Sequence, residues 1–262
     1  PIRLIIRGDD MGMTQGTVAA FEKAFNEGVL TCGAIQACAP WFEAMADVCK
    51  KNPGWCIGVH LALVGEWQGY RWRPVLPWDK VKSIVDEDGY LYGDPIELYA
   101  HKPKLEEIEA EFRAQIALVK KRGVNVKYLD THYSGYDQYP GLKEIFLRLA
   151  KENNLPISGL VGEKRMPGVY MGQVDLKPVT AAKQIEELQP GLWLWVCHIG
   201  IDSPEQDALF HTRPQDIFQG PGVGKHRAAE LEALLSNHVK AALLRKEVKL
   251  TNYGEFTAQS IR

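Results

Sequence analysis

No stretch of this sequence is long and apolar enough to form a membrane span, and neither sign of charge dominates, with 31 Lys and Arg against 33 Asp and Glu. The basic residues are scattered rather than clustered, which argues against nucleic acid or an anionic membrane as the main partner. CxxC spacing is absent too. The five cysteines, Cys32, Cys38, Cys49, Cys56 and Cys197, are odd in number and mostly sit in apolar runs, so they read as reduced, buried small residues. The N-terminal run from Pro1 goes straight into the polar Gly8-Asp9-Asp10 without the pattern of a signal peptide, and the cytoplasm is the expected location. Low-complexity tracts and internal repeats are also lacking, so neither a linker-rich nor a repeat architecture is expected.

What is present is 262 residues, 45% of them hydrophobic, arranged as short apolar runs alternating with helical patterns. Arg3 to Gly8 reads as a buried strand, followed by a helix with Thr14 as N-cap, Val18, Phe21 and Phe25 on one face, and Gly28 as its stop. The same alternation gives strands at Ala34 to Ala39, Cys56 to Leu63, Val126 to Thr131, Pro156 to Leu160, Leu192 to Cys197 and Val248 to Tyr253. Helices are expected at Phe42 to Lys51, Leu142 to Asn153, Ala228 to Leu235 and Val239 to Arg245, with a long amphipathic one after Pro103 that stops near Gly123. About seven strand-helix units suit a single catalytic α/β domain, 1–262, closed as a (β/α) barrel, better than an open sheet. The irregular part is Val64 to Pro103, which is either an excursion over the active face or a small subdomain. Its Trp67, Tyr70, Trp72 and Trp78 are either flat faces for a sugar ring or the core of their own loop.

Metal-capable residues fall in a pattern: Asp9-Asp10, His60, Asp130 with His132, and His198 each follow directly on an apolar strand-like run. Parallel barrel strands deliver their C-terminal ends to one face, so residues remote in sequence converge there. Two imidazoles and a carboxylate make a facial metal triad with open positions, suited to lowering the pKa of a water and polarising a carbonyl. A single strand-end histidine is more often structural, and adjacent acids can simply cap a helix, but here the coincidence occurs at four strand ends. Two neighbouring carboxylates also repel unless a cation or proton lies between them. His101, His211, His226 and His238 lie in polar or helical contexts and read as surface or structural residues.

These residues carry a resemblance. Leu4-Ile-Ile-Arg-Gly-Asp-Asp-Met-Gly, Gly58-Val-His-Leu-Ala-Leu, Pro74-Val-Leu-Pro, Asp130-Thr-His and Cys197-His-Ile-Gly are similar to the motifs of the YdjC-like (ChbG/HpnK) carbohydrate deacetylases, in order along nearly the whole chain. The resemblance implies a distorted barrel related to the polysaccharide deacetylases and metal-dependent removal of acetyl groups from N-acetylated sugars. Chitooligosaccharides and diacetylchitobiose, with or without phosphate, are the implied substrates. It further implies Asp10, His60 and His132 as ligands of one divalent metal ion, magnesium or zinc, with Asp9 as general base and His198 as acid or oxyanion partner. Arg227, expected just before a helix, is assigned equally to an anionic substrate group or to the fold. The departures are Arg7-Gly8 before the acids, Met11 where the family commonly has Phe, and Ile199 where it has Pro. They point to an altered pocket beside unaltered ligands. The rival classes are a barrel phosphoesterase or sugar isomerase using the same ligands, and a catalytically silent sugar-binding protein. A small carbohydrate is the expected partner, and a homodimer the default assembly.

Overall fold

A computed structural model describes residues 1–133, 135–211 and 222–262. The chain runs β1 (Ile2–Met11), α1 (Gln15–Glu27), β2 (Cys32–Ile35), α2 (Phe42–Lys51), β3 (Ile57–Leu61) and β4 (Trp67–Gln68). It continues through α3 (Pro95–Ala100), α4 (Leu105–Lys121), β5 (Val126–Thr131), α5 (Leu142–Asn153), β6 (Lys164–Arg165) and α6 (Lys177–Glu186). The last elements are β7 (Gly191–Cys197), α7 (Pro204–Asp207), β8 (Phe210–His211), α8 (Gly222–Leu235), α9 (Asn237–Arg245) and β9 (Lys249–Thr251).

Seven of these strands form one parallel sheet in the order β5-β3-β2-β1-β7-β6, with β9 pairing the first half of β1. β1 is central and, apart from half-buried Arg3, buried along its length, as expected of a strand covered on both faces by crossover helices. The sheet curls into an incomplete barrel, because β5 and β6 stand at its two ends and are not paired to each other among the described residues. The expected strand at Pro156 to Leu160 would have helped to close it. That segment instead makes a single bridge, Ile157 to Leu129, and turns away.

Local chemistry explains the rest. Thr14 and Thr17 exchange side-chain and backbone hydrogen bonds at 3.0 Å each, a capping box that starts α1, and Gly28 ends it. The strand expected to reach Ala39 ends at Ile35: Gln36 N–H makes the last ladder bond to Met11 O (3.1 Å), and Ala39 N–H then donates to Gln36 O (3.3 Å) in a turn that leaves the sheet. α8 begins a turn and a half earlier than its apolar pattern, so Arg227 lies inside the helix, not before it. α3 and α6 were not evident from periodicity; α6 carries a buried lysine, Lys177, at its start. All five cysteines are free, and only Cys38 is more than slightly exposed. Among the described residues no helix is long and apolar enough to cross a membrane.

The irregular segment 64–103 packs Trp67, Trp72, Val81, Ile84, Leu91 and Leu98 into the main core cluster. Buried Glu111 of α4 holds it there by accepting from Val75 N (2.8 Å) and Leu76 N (3.0 Å). Gln115 completes the clamp by bonding Glu111 and both backbone groups of Ala62, just past β3. The excursion is thereby fixed over the C-terminal ends of the strands.

Candidate functional site

β1, β3, β5 and β7 run in register, pairing Gly8 with Cys197 and His60 with Asp130, so their C-terminal ends meet at one place. Asp10 stands there with φ +63° and Tyr133, directly after His132, with φ +60°. Neither residue favours the left-handed region, a strain typical of sites where side-chain placement overrides backbone preference.

Three donor atoms form a nearly equilateral triangle. Asp10 Oδ1 lies 3.5 Å from His60 Nε2 and 3.2 Å from His132 Nδ1, and the two nitrogens are 3.3 Å apart. The far nitrogens decide what these atoms present. His60 Nδ1 is 2.7 Å from Asp130 Oδ2 and His132 Nε2 is 2.8 Å from Glu66 Oε2, so each imidazole donates its proton outward to a carboxylate. The near nitrogens then face Asp10 Oδ1 with lone pairs, and that buried oxygen has no hydrogen bond. Three lone pairs this close repel unless a cation or protons lie among them. Their spacing matches adjacent donors around one ion with bonds of about 2.0–2.2 Å, so the residues present fit a divalent cation. With the ion left out, burial opposes charging of the imidazoles. The surrounding carboxylates outweigh it, chiefly Asp9 and Asp130 for His60 and Glu66 and Asp10 for His132, and raise them to about 9 and about 10.

Asp9, His60 and Asp130 form a second group of candidate ligands, but a guanidinium already fills it. Arg7 donates from Nε to Asp9 Oδ1 (2.6 Å), from Nη2 to Asp9 Oδ2 (2.8 Å) and from Nη1 to Asp130 Oδ1 (2.7 Å). The adjacent acids therefore share no cation, because Asp9 is gripped by Arg7 while Asp10 Oδ2 accepts from Arg227 Nη2 at 2.7 Å. Burial pushes the Asp9 carboxyl up, yet the Arg7 guanidinium above all, with His60, outweighs it and holds it ionised. Arg227 is 1% exposed, is bonded through Nε to Tyr170 OH (3.2 Å), and leaves Nη1 without a partner.

His198 follows β7. Its ring stacks on Tyr170 at 4.3 Å, its Nε2 is 3.9 Å from Asp9 Oδ2, and its backbone N–H donates to Glu230 Oε2. Desolvation drives its pKa down to about 4 despite Asp10 and Asp9, so it is neutral at pH 7. A cavity of about 280 Å³ joins these groups. Asp9, Asp10, His60, His132, His198 and Arg227 all line it, so the six residues expected as ligands, base, acid and substrate contact are brought together.

The cavity also holds residues that sequence reasoning passed over or assigned elsewhere. His211, expected at the surface or in a structural place, stands in the wall: β8 pairs with β4 and sets it 3.1 Å from Tyr133 OH through Nε2. Glu66 and Tyr170 come from irregular segments that carry no periodic signal. Arg7 did carry one, a buried positive charge inside an apolar strand just before two acids. Of the aromatic residues in 64–103 that were considered as sugar platforms, only Trp67 lines the cavity. Trp72 packs on the His132 ring (5.3 Å), Tyr70 OH donates to Met13 O (2.8 Å), and Trp78 is half exposed outside it.

The family model described as YdjC-like protein matches residues 3–245. A carbohydrate deacetylase of Enterococcus faecalis is 29% identical, with 96% of this chain and 97% of that one covered. One from Brevibacillus brevis is 24% identical over 97% and 99% of the two chains. In three dimensions the chain resembles a crystal structure from Enterococcus faecalis V583, proposed as a cellobiose-phosphate cleavage protein. The TM-score is 0.80 at 23% identity, covering 97% of this chain and 98% of that one, a likeness of fold.

Proposed function

The chain belongs to the YdjC-like protein family, and on that premise we propose that it is a metal-dependent hydrolase removing acetyl groups from N-acetylated sugars of the chitooligosaccharide type. The observation that carries the reading is the triangle of Asp10, His60 and His132, with both outer imidazole nitrogens committed to Asp130 and Glu66. A divalent cation held there would supply Lewis acidity toward an acetamide carbonyl and a water. Two imidazole nitrogens favour zinc over magnesium on ligand softness. Arg7 in the neighbouring acidic group argues for one ion per chain and against a two-metal phosphoesterase.

The chain's own groups handle the proton. Asp9, kept ionised by Arg7, takes it from the attacking water; His198 Nε2, neutral and 3.9 Å away, receives it and delivers it to the departing nitrogen as the C–N bond breaks. Acetate and a free amino sugar result. Arg227 fixes Asp10, and its unpartnered Nη1 is a donor left for an oxygen of the substrate.

The test is acetate release from N,N'-diacetylchitobiose, with and without a 6-phosphate, by metal-loaded protein, chelated protein and the His60→Ala variant. Release that disappears in the last two supports the reading and ranks the substrates. Absence of acetate with metal bound overturns it in favour of an isomerase or a phosphoesterase.

A further inference from the structure

A second cavity, of about 450 Å³, adjoins the first, and Tyr133 is common to both walls. Pro95, Ile96 and Tyr99 of α3 and Gln138 complete its lining among the described residues. None of these five side chains is charged. Ile96 is 70% and Tyr133 41% exposed, so an apolar side chain and an aromatic one border the space together with the Gln138 amide. That combination suits a sugar ring, whose C–H face packs on aromatic and aliphatic surface while its hydroxyls bond an amide.

The walls are also rigid. Asp94 caps α3 by accepting from Ile96 N (2.6 Å) and Glu97 N (3.3 Å), and Pro95 opens its first turn. Tyr99 stacks on Tyr139 at 5.0 Å, and Tyr139 OH donates to Pro103 O (3.0 Å). Tyr133 is set by its left-handed backbone and by its contact with His211. The excursion thus serves two cavities, sending Glu66 and Trp67 to the first and α3 to the second.

From this we infer that the α3 cavity is a subsite for the next, uncharged sugar unit of the saccharide whose acetamide enters the first cavity. The inference rests on the reading of that first cavity as a sugar site. It makes the protein selective for disaccharides and longer chains over monosaccharides.

The experiment compares wild type with Ile96→Arg and Gln138→Ala. Deacetylation kinetics on N-acetylglucosamine and N,N'-diacetylchitobiose are paired with calorimetric binding of cellobiose and glucose, which carry no acetyl group. The expected result is a ratio of kcat/KM, disaccharide over monosaccharide, that falls roughly 5- to 10-fold in Ile96→Arg, the loss of one stacked ring, together with weaker cellobiose binding. Equal ratios and equal cellobiose affinities in all three proteins would overturn the subsite while leaving the deacetylase reading intact. Loss of cellobiose binding in the variants without acetate release by any of them would keep the subsite and overturn the deacetylase reading. Failure of wild type to bind cellobiose more tightly than glucose would also refute the subsite.

Discussion

Asp130 accepts from His60 Nδ1 with one carboxylate oxygen and from Arg7 Nη1 with the other, each at 2.7 Å. One buried acid thus orients a candidate ligand and anchors the guanidinium that holds Asp9. Asp130→Asn is expected to weaken divalent-cation binding about 10- to 100-fold, measured by calorimetric titration of chelated protein. A variant that binds zinc like wild type would show that the far nitrogen of His60 needs no carboxylate.

The pH dependence of the cation-free protein follows from the two imidazoles. Their folded values, about 9 for His60 and about 10 for His132, lie above the ordinary 6.5. Their contribution to stability is therefore fully present below pH 6.5 and is lost as pH rises through 9 to 10. Chelated protein should melt on the order of 5 °C lower at pH 10 than at pH 7. Metal-loaded protein, whose imidazoles are already deprotonated, should change much less. Scanning calorimetry of both forms decides the point, and parallel curves would contradict the assignment.

His198 lies outside the donor triangle, and on the proposed reading it handles the proton. His198→Ala should lower kcat by about 10²- to 10⁴-fold with zinc affinity unchanged. A variant that instead loses the ion would reassign the residue as a ligand.

Gly58 precedes His60 by two positions on β3, and a methyl group there would meet three atoms of the buried Tyr128 ring at 2.4–2.6 Å. Overpacking of this kind costs about 1–3 kcal/mol. Gly58→Ala should lower the melting temperature by roughly 3–10 °C, read by circular dichroism. An unchanged melting curve would mean that the Tyr128 ring has room to move.

Much of the fold was legible because it is local. α2, β5 and α5 begin and end at the residues expected, since each is a periodic run with clear stops. The ligand candidates were legible for a related reason: each is the polar residue that ends an apolar strand. What was hidden depends on contacts between distant segments. Glu66 reaches His132 from a segment anchored by the pairing of Trp67 with His211. The two acids at 9 and 10 gave a correct alarm with an incomplete explanation, because repulsion is relieved by Arg7 and Arg227 separately, and Arg227 lies 217 positions from the Asp10 it serves.

The three donors of the triangle and the two acids that orient them all lie at or before residue 132, whereas Tyr170, His198, His211 and Arg227 come later. A ribosome therefore exposes the three donors and the two carboxylates beside them before any of the later groups exist. β7 can reach its place only by docking along the free edge of β1 beside Ile2 to Gly8. During synthesis the triangle is therefore translated in full before the strand that leads into His198 exists to pair with β1.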